Sequence, residues 1–146
     1  MNSQTLNKSL NNAGVLNRVA RHSKVMLIDD NSLDNFINKK LLETNGFAEI
    51  VSAYESPEDA LSFLKTAPST ELPEVIFLDI NMPGMDGFQF LDAFENLNAA
   101  IHQQCKIIML STSESFKDLN RANKNKFVSK FLNKPLTHEV IGAIKV

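Results

Sequence analysis

Four short apolar runs, each ending in a polar residue, restrict the fold of this chain more than any other feature. Val25-Met26-Leu27-Ile28 leads into Asp29 and Asp30, and Val75-Ile76-Phe77-Leu78 leads into Asp79. Ile107-Ile108-Met109-Leu110 leads into Ser111, and the run 127–132 is followed by Lys134 and Pro135. Unbroken apolar runs of this kind read as strands buried on both faces of a parallel sheet. In such a sheet the carboxyl ends of the strands lie along one edge, so Asp29, Asp30, Asp79, Ser111 and Lys134 are expected to meet there. The pocket they form is acidic and suits phosphate chemistry.

Helix signals fill the intervals. Asn31 or Ser32 caps a helix whose apolar side reads Leu33, Phe36, Ile37, the stem of Lys40 and Leu41, with Gly46 at its end. A short second strand follows at 50–54. Ser56-Pro57-Glu58-Asp59 then supplies a cap, a proline in the first turn and acids facing the positive end of the helix dipole. Ala60, Leu61 and Leu64 give that helix its buried stripe, and a polar loop over 66–73 leads to the third strand. A third helix is expected over 87–97, with Phe88, Leu91 and Phe94 toward the sheet. Ser113 or Ser115 caps a fourth helix reaching 124, and Thr137 caps a short fifth one. Strand and helix alternate throughout, which implies a doubly wound α/β domain with helices on both faces and right-handed crossovers. The domain is read as residues 24–146, behind an acid-free, Asn-rich leader at 1–23 that is flexible or weakly helical.

Composition excludes several function classes. A chain of 146 residues is one domain with its own core. A net charge of −2 gives no electrostatic grip on nucleic acid or on an anionic membrane. No window approaches the roughly 18 apolar residues of a membrane span. A single cysteine, Cys105, forms no internal disulfide and fits a reducing, cytoplasmic setting, where it is expected to be a packing residue near a strand start. His22, His102 and His138 show no metal-ligand spacing and are expected at the surface, and the Asn- and Lys-rich segment 120–125 reads as a solvated helix face.

With Leu78-Asp79-Ile80-Asn81-Met82-Pro83-Gly84-Met85-Asp86-Gly87 added to the other three runs, the chain resembles the receiver domain of two-component response regulators, in particular the single-domain chemotaxis type. The resemblance covers 24–146. It implies a flavodoxin-like, five-stranded parallel sheet of order 2-1-3-4-5 flanked by five helices. It also implies roles. Asp79 is the phosphoacceptor. Asp29 and Asp30, with Asp79 and the backbone carbonyl of Asn81, hold Mg2+. Ser111 and Lys134 act on the phosphoryl group with Asp79, the Lys134–Pro135 bond is a candidate cis peptide, and Ser111 with Phe131 forms the switch. Many members carry Tyr at the Phe131 position; Phe keeps the ring and lacks the hydroxyl.

The chemistry agrees with these roles. Carboxylates about 5 Å apart repel by roughly 3 kcal/mol per pair at an effective dielectric near 20, and a hard cation with oxygen ligands relieves that. Lys134 is expected to pair with Asp79 before phosphorylation and to lower its pKa. The implied phosphoryl donor is a histidine on a sensor histidine kinase or a histidine phosphotransfer protein. The implied output is a protein contact through the fourth helix, fifth strand and fifth helix, around 116–141, where Lys117, Arg121, Lys124, Lys126 and Lys130 suit an acidic partner. Neither DNA nor membrane binding is expected, since no basic recognition helix is visible. The chain is not expected to be an enzyme beyond catalysing its own aspartyl phosphorylation and dephosphorylation. Asn81 and Ser113, each two residues beyond an active residue, are expected to tune the lifetime of that phosphate. Three alternative readings share parts of this pattern. A phosphorelay intermediate uses the same site. A pseudo-receiver has lost an acid or the lysine, and this chain keeps all of them. A phosphatase of the haloacid dehalogenase type has a second Asp where Asn81 stands, and a cap domain.

Overall fold

The apolar runs pair side by side in the computed structural model, which describes residues 19–112 and 115–146. Five strands, β1 (His22–Ile28), β2 (Ala48–Tyr54), β3 (Val75–Asp79), β4 (Lys106–Ser111) and β5 (Val128–Asn133), form one parallel sheet of order β2-β1-β3-β4-β5. This is the flavodoxin-like order that the resemblance implied. Six helices among the described residues connect them: α1 (Ser32–Thr44), α2 (Pro57–Thr66), α3 (Gly87–Glu95), α4 (Ala99–Gln104), α5 (Phe116–Lys124) and α6 (His138–Ala143). The expected fourth and fifth helices are thus α5 and α6. The unforeseen α4 forms because Asn98 caps it and Ile101 buries against the sheet. Most of the leader, 1–18, lies outside the described residues, as does Ser113; β1 already begins at His22.

Register aligns the strand ends. Ile28 pairs with Leu78, Asp79 with Leu110, and Ser111 with Asn133. Side chains alternate between faces. Met26, Ile28, Ile76, Leu78, Ile107 and Met109 face one core, closed by Ala60 and Leu64 of α2, four residues of α3, and Ala122 as the one buried residue of α5. Val25, Leu27, Val75, Phe77, Ile108 and Leu110 face the other, closed by Leu42 of α1 and Ile141 of α6. Phe47, Phe77, Phe90 and Phe94 are essentially fully buried, each contributing roughly 2–3 kcal/mol. No helix among the described residues is long and apolar enough to cross a membrane.

The expected face of α1 needs correcting. Leu33, Phe36 and Ile37 are exposed, at 63%, 61% and 46%, and Lys40 is exposed with its ammonium over the Phe36 ring. Asn35, Asn38 and Leu42 are buried instead, and Leu41 is half-buried. Asn35 explains the turn of the helix: its side-chain amide donates to the Asp29 carbonyl at 2.9 Å, so a polar residue takes the inward position. Two of the three histidines also differ from the surface expectation. His22 accepts or donates through Nδ1 to Glu74 at 2.8 Å with its ring against Phe47, and His102 meets the Phe94 carbonyl at 2.7 Å while packing on the Phe94 and Phe127 rings.

Candidate functional site

Strand ends place the acids. Asp79, the last residue of β3, is 4% exposed, and Asp29, just beyond β1, is 3% exposed; Asp30 beside it is open to solvent. Each of the three can present an oxygen to a common point, those oxygens lying within 4.8 Å of one another. The backbone holds this geometry. Asp29 donates its N–H to the Tyr54 carbonyl at 3.0 Å, and Ile80, next to Asp79, donates to Leu110 at 3.1 Å. One carboxylate oxygen of Asp29 accepts the Asn31 N–H at 2.9 Å, where Asn31 also caps α1.

Lys134 enters from beyond β5. Its backbone N–H donates to the Ser111 carbonyl at 2.8 Å, and the bond to Pro135 is cis. The ammonium reaches Asp29 at 2.6 Å, Asp34 at 3.2 Å and Asp79 at 3.3 Å. Burial works against its charged form, but the hydrogen bond to Asp29 and the charges of Asp79 and Asp29 outweigh it, so its pKa stands above the usual lysine value. Asp79 goes the opposite way from the sequence expectation. Burial and the charge of Asp29 push it up to about 6, and Lys134, though it pulls downward, does not overcome them.

Ser111 is fully buried at the end of β4. Phe131 pairs with Met109, two residues before Ser111, so Ser111 and Phe131 share one face of neighbouring strands. The Phe131 ring is half-buried and lines a groove of about 360 Å³ with Ser115, Phe116, Leu119 and Asn133. Ser115 caps α5. Of the expected basic patch, Arg121 lies 3.8 Å over the Phe88 ring, and Lys126 sits 3.8 Å from Glu95 and over Phe127. Asn81 is exposed in the loop after β3. Cys105 is buried just before β4, and burial raises its thiol to about 12, as a packing residue requires.

Two contacts of this neighbourhood, one at Asp34 and one at Gly87, are not legible in the sequence. Asp34 touches Lys134; an acid in the first turn of a helix reads by itself as a complement to the helix dipole, so the pattern carried no second signal. Gly87 opens α3, which Asp86 and Gln89 close with a reciprocal capping box. A Cβ on Gly87 would sit 2.7 Å from the Asp79 carbonyl oxygen and 2.9 Å from the Ile80 Cα. Both are backbone atoms of the site, so Gly87→Ala is expected to cost about 1–3 kcal/mol in urea unfolding and to displace Asp79. Wild-type stability in that variant would refute the close approach.

Comparison with known proteins places these features in company. Residues 25–144 match the family described as response regulator receiver domain. The chain is 27% identical over 117 residues to the "Probable methanogenesis regulatory protein FilR2" of Methanothrix harundinacea, covering 79% of this chain and 74% of that one. It is 31% identical over 121 residues to hybrid signal transduction histidine kinase L of Dictyostelium discoideum, covering 83% of this chain but only 7% of that protein. Among solved structures, a two component response regulator from Cytophaga hutchinsonii superposes with a TM-score of 0.76 at 28% identity, covering 83% of this chain and 92% of the other.

Proposed function

The chain belongs to the response regulator receiver domain family of two-component signalling, and from that premise we propose that Asp79 accepts a phosphoryl group from a histidine of a sensor kinase or phosphotransfer protein. One observation carries the reading: a buried aspartate at a strand end lies against two further acids and a lysine ammonium. A carboxylate oxygen of Asp79 attacks phosphorus, the O–P bond forms, and the P–N bond of the phosphohistidine breaks. Its electron pair stays on the imidazole nitrogen, which takes a proton from water. Asp79 is the nucleophile in its ionised form, the major form above about pH 6.

The donor set, three carboxylates converging within 4.8 Å, fits a hard divalent cation. Asp29, Asp30 and Asp79, with the backbone carbonyl of Asn81, would hold Mg2+. When bound, Mg2+ neutralises the phosphoryl oxygens and the mutual repulsion of the acids. Asp30 is the exposed member, so Asp30→Ala is expected to keep the fold and weaken Mg2+ binding roughly tenfold or more by calorimetry. Unchanged affinity would count against this ligand set.

After transfer, Lys134 supplies charge to a phosphoryl oxygen and Ser111 donates its hydroxyl. The added charge of about −1.5 to −2 biases the loop after β4 and with it the Phe131 ring. The signal leaves through α5, β5 and α6 to a protein partner in the cytoplasm; the groove beside Phe131, with Phe116 80% exposed, supports that face. Acetyl phosphate with Mg2+ tests the core of this reading. One acid-stable, base-labile phosphate per chain, seen by intact mass, is the expected result, and no uptake would refute it.

A further inference from the structure

Lys134 directs its ammonium at three acids, and one of them stands apart from the metal-binding group. Asp29 and Asp79 belong with Asp30 to the converging cluster; Asp34, at 3.2 Å from the ammonium, does not. Asp29 and Asp34 accept hydrogen bonds from the ammonium and Asp79 pairs with it by charge, so three carboxylates share one cation. The position of Asp34 is set by its helix, because Asn31, the cap of α1, accepts the Asp34 N–H at 3.0 Å. The Asp34 side chain is 38% exposed, against 5% for Asp29 and 6% for Asp79.

A phosphoryl group on Asp79 brings new anionic oxygens within reach of Lys134. To bind one, the ammonium must loosen its hold on a partner that it already has. Asp79 gives up its carboxylate charge when the O–P bond forms, and leaving buried Asp29 without a counter-charge is costly, whereas Asp34 is the acid that water can solvate. We propose that Asp34 is a positioning residue: it holds the Lys134 ammonium in the unphosphorylated pocket and competes with the phosphoryl group for it. The inference rests on Asp79 being the phosphoacceptor. Asp34 thereby sets how readily the pocket converts to its phosphoryl-bound arrangement, since a ligand shifts such an equilibrium only by the difference in its interactions with the two states.

Beryllium fluoride, which forms a tetrahedral adduct on carboxylates, is the probe, titrated with Mg2+ and followed by amide NMR. A partly exposed ion pair of this kind sets the scale, so Asp34→Asn is expected to bind the adduct roughly two- to fivefold more tightly. Asp34→Glu, which restores the anion, is expected to return to the wild-type affinity. In the ligand-free protein the side-chain ammonium signal of Lys134 should shift in Asp34→Asn, a change that a purely helix-stabilising Asp34 would not cause. Equal or weaker adduct binding in Asp34→Asn, or Asp34→Glu behaving like Asp34→Asn, would overturn the proposal. Failure of the wild-type chain to bind beryllium fluoride would overturn the phosphoacceptor reading and this proposal with it, and is told apart by appearing without any substitution.

Discussion

Asp79→Asn is expected to abolish phosphate uptake and, in Mg2+-free buffer at neutral pH, to make the protein more stable. The amide oxygen is a poor nucleophile, so the mass gain from acetyl phosphate should vanish. Stability rises for an electrostatic reason. Asp79 in the folded chain is pushed up to about 6 from 3.8, chiefly by burial and the charge of Asp29. Between those two values the folded state binds more protons than the unfolded one, so the contribution of Asp79 to stability falls as pH rises through that window and is flat on either side. The neutral amide has no such loss. Below about pH 4 the two proteins should unfold alike, and above pH 6 the variant should be ahead by on the order of 2–3 kcal/mol in urea titrations. A variant that takes up phosphate at the wild-type rate, or that gains nothing at neutral pH, would refute the assignment of Asp79.

Lys134→Ala is expected to move stability the other way. It leaves Asp29 and Asp79 buried side by side with no ammonium between them. Removing one partner of a buried pair commonly costs about 3–5 kcal/mol, and proton uptake by Asp79 should keep this case near the lower end, ~3 kcal/mol. Mg2+ should restore part of that loss. Phosphorylation should persist to some extent, because Asp79 remains, whereas the response should not. Amide shifts around Ser111, Phe131 and α5 in the phosphorylated variant are the measurement; a full wild-type pattern there would sink the coupling through Lys134.

The strands and their ends were legible because residues such as Ile76, Phe77, Ile107 and Ile108 are buried on both faces and leave an uninterrupted apolar trace. Caps were legible for a similar reason: Ser56 and Thr137 are the residue types that a helix start demands, and both accept the expected backbone N–H. The facing of α1 was not. Periodicity assigns apolar residues inward, but Asn35 turns inward to satisfy the Asp29 carbonyl and leaves Phe36 and Ile37 in water. A hydrogen bond to a loop carbonyl has no signature in hydropathy. Nor does the balance of terms at Asp79, where the sequence gives the charges present but not the depth at which each is buried. Asp34 was hidden by a sufficient local explanation, and Gly87 by the distance in space of the carbonyl it crowds.

Helix α5 is held more lightly than α3. Of the nine residues of α5 only Ala122 is buried, whereas α3 buries five of the same number. A methyl group of that size contributes about 1 kcal/mol, below the energies that meet around Lys134. The grip is unequal: Asp29 and Asp79 stand on backbone bonded into the sheet, while the helix beside the Phe131 groove buries one small side chain. On the proposed function, such a division would let a change of charge be read out as movement without loosening the place where the charge arrives.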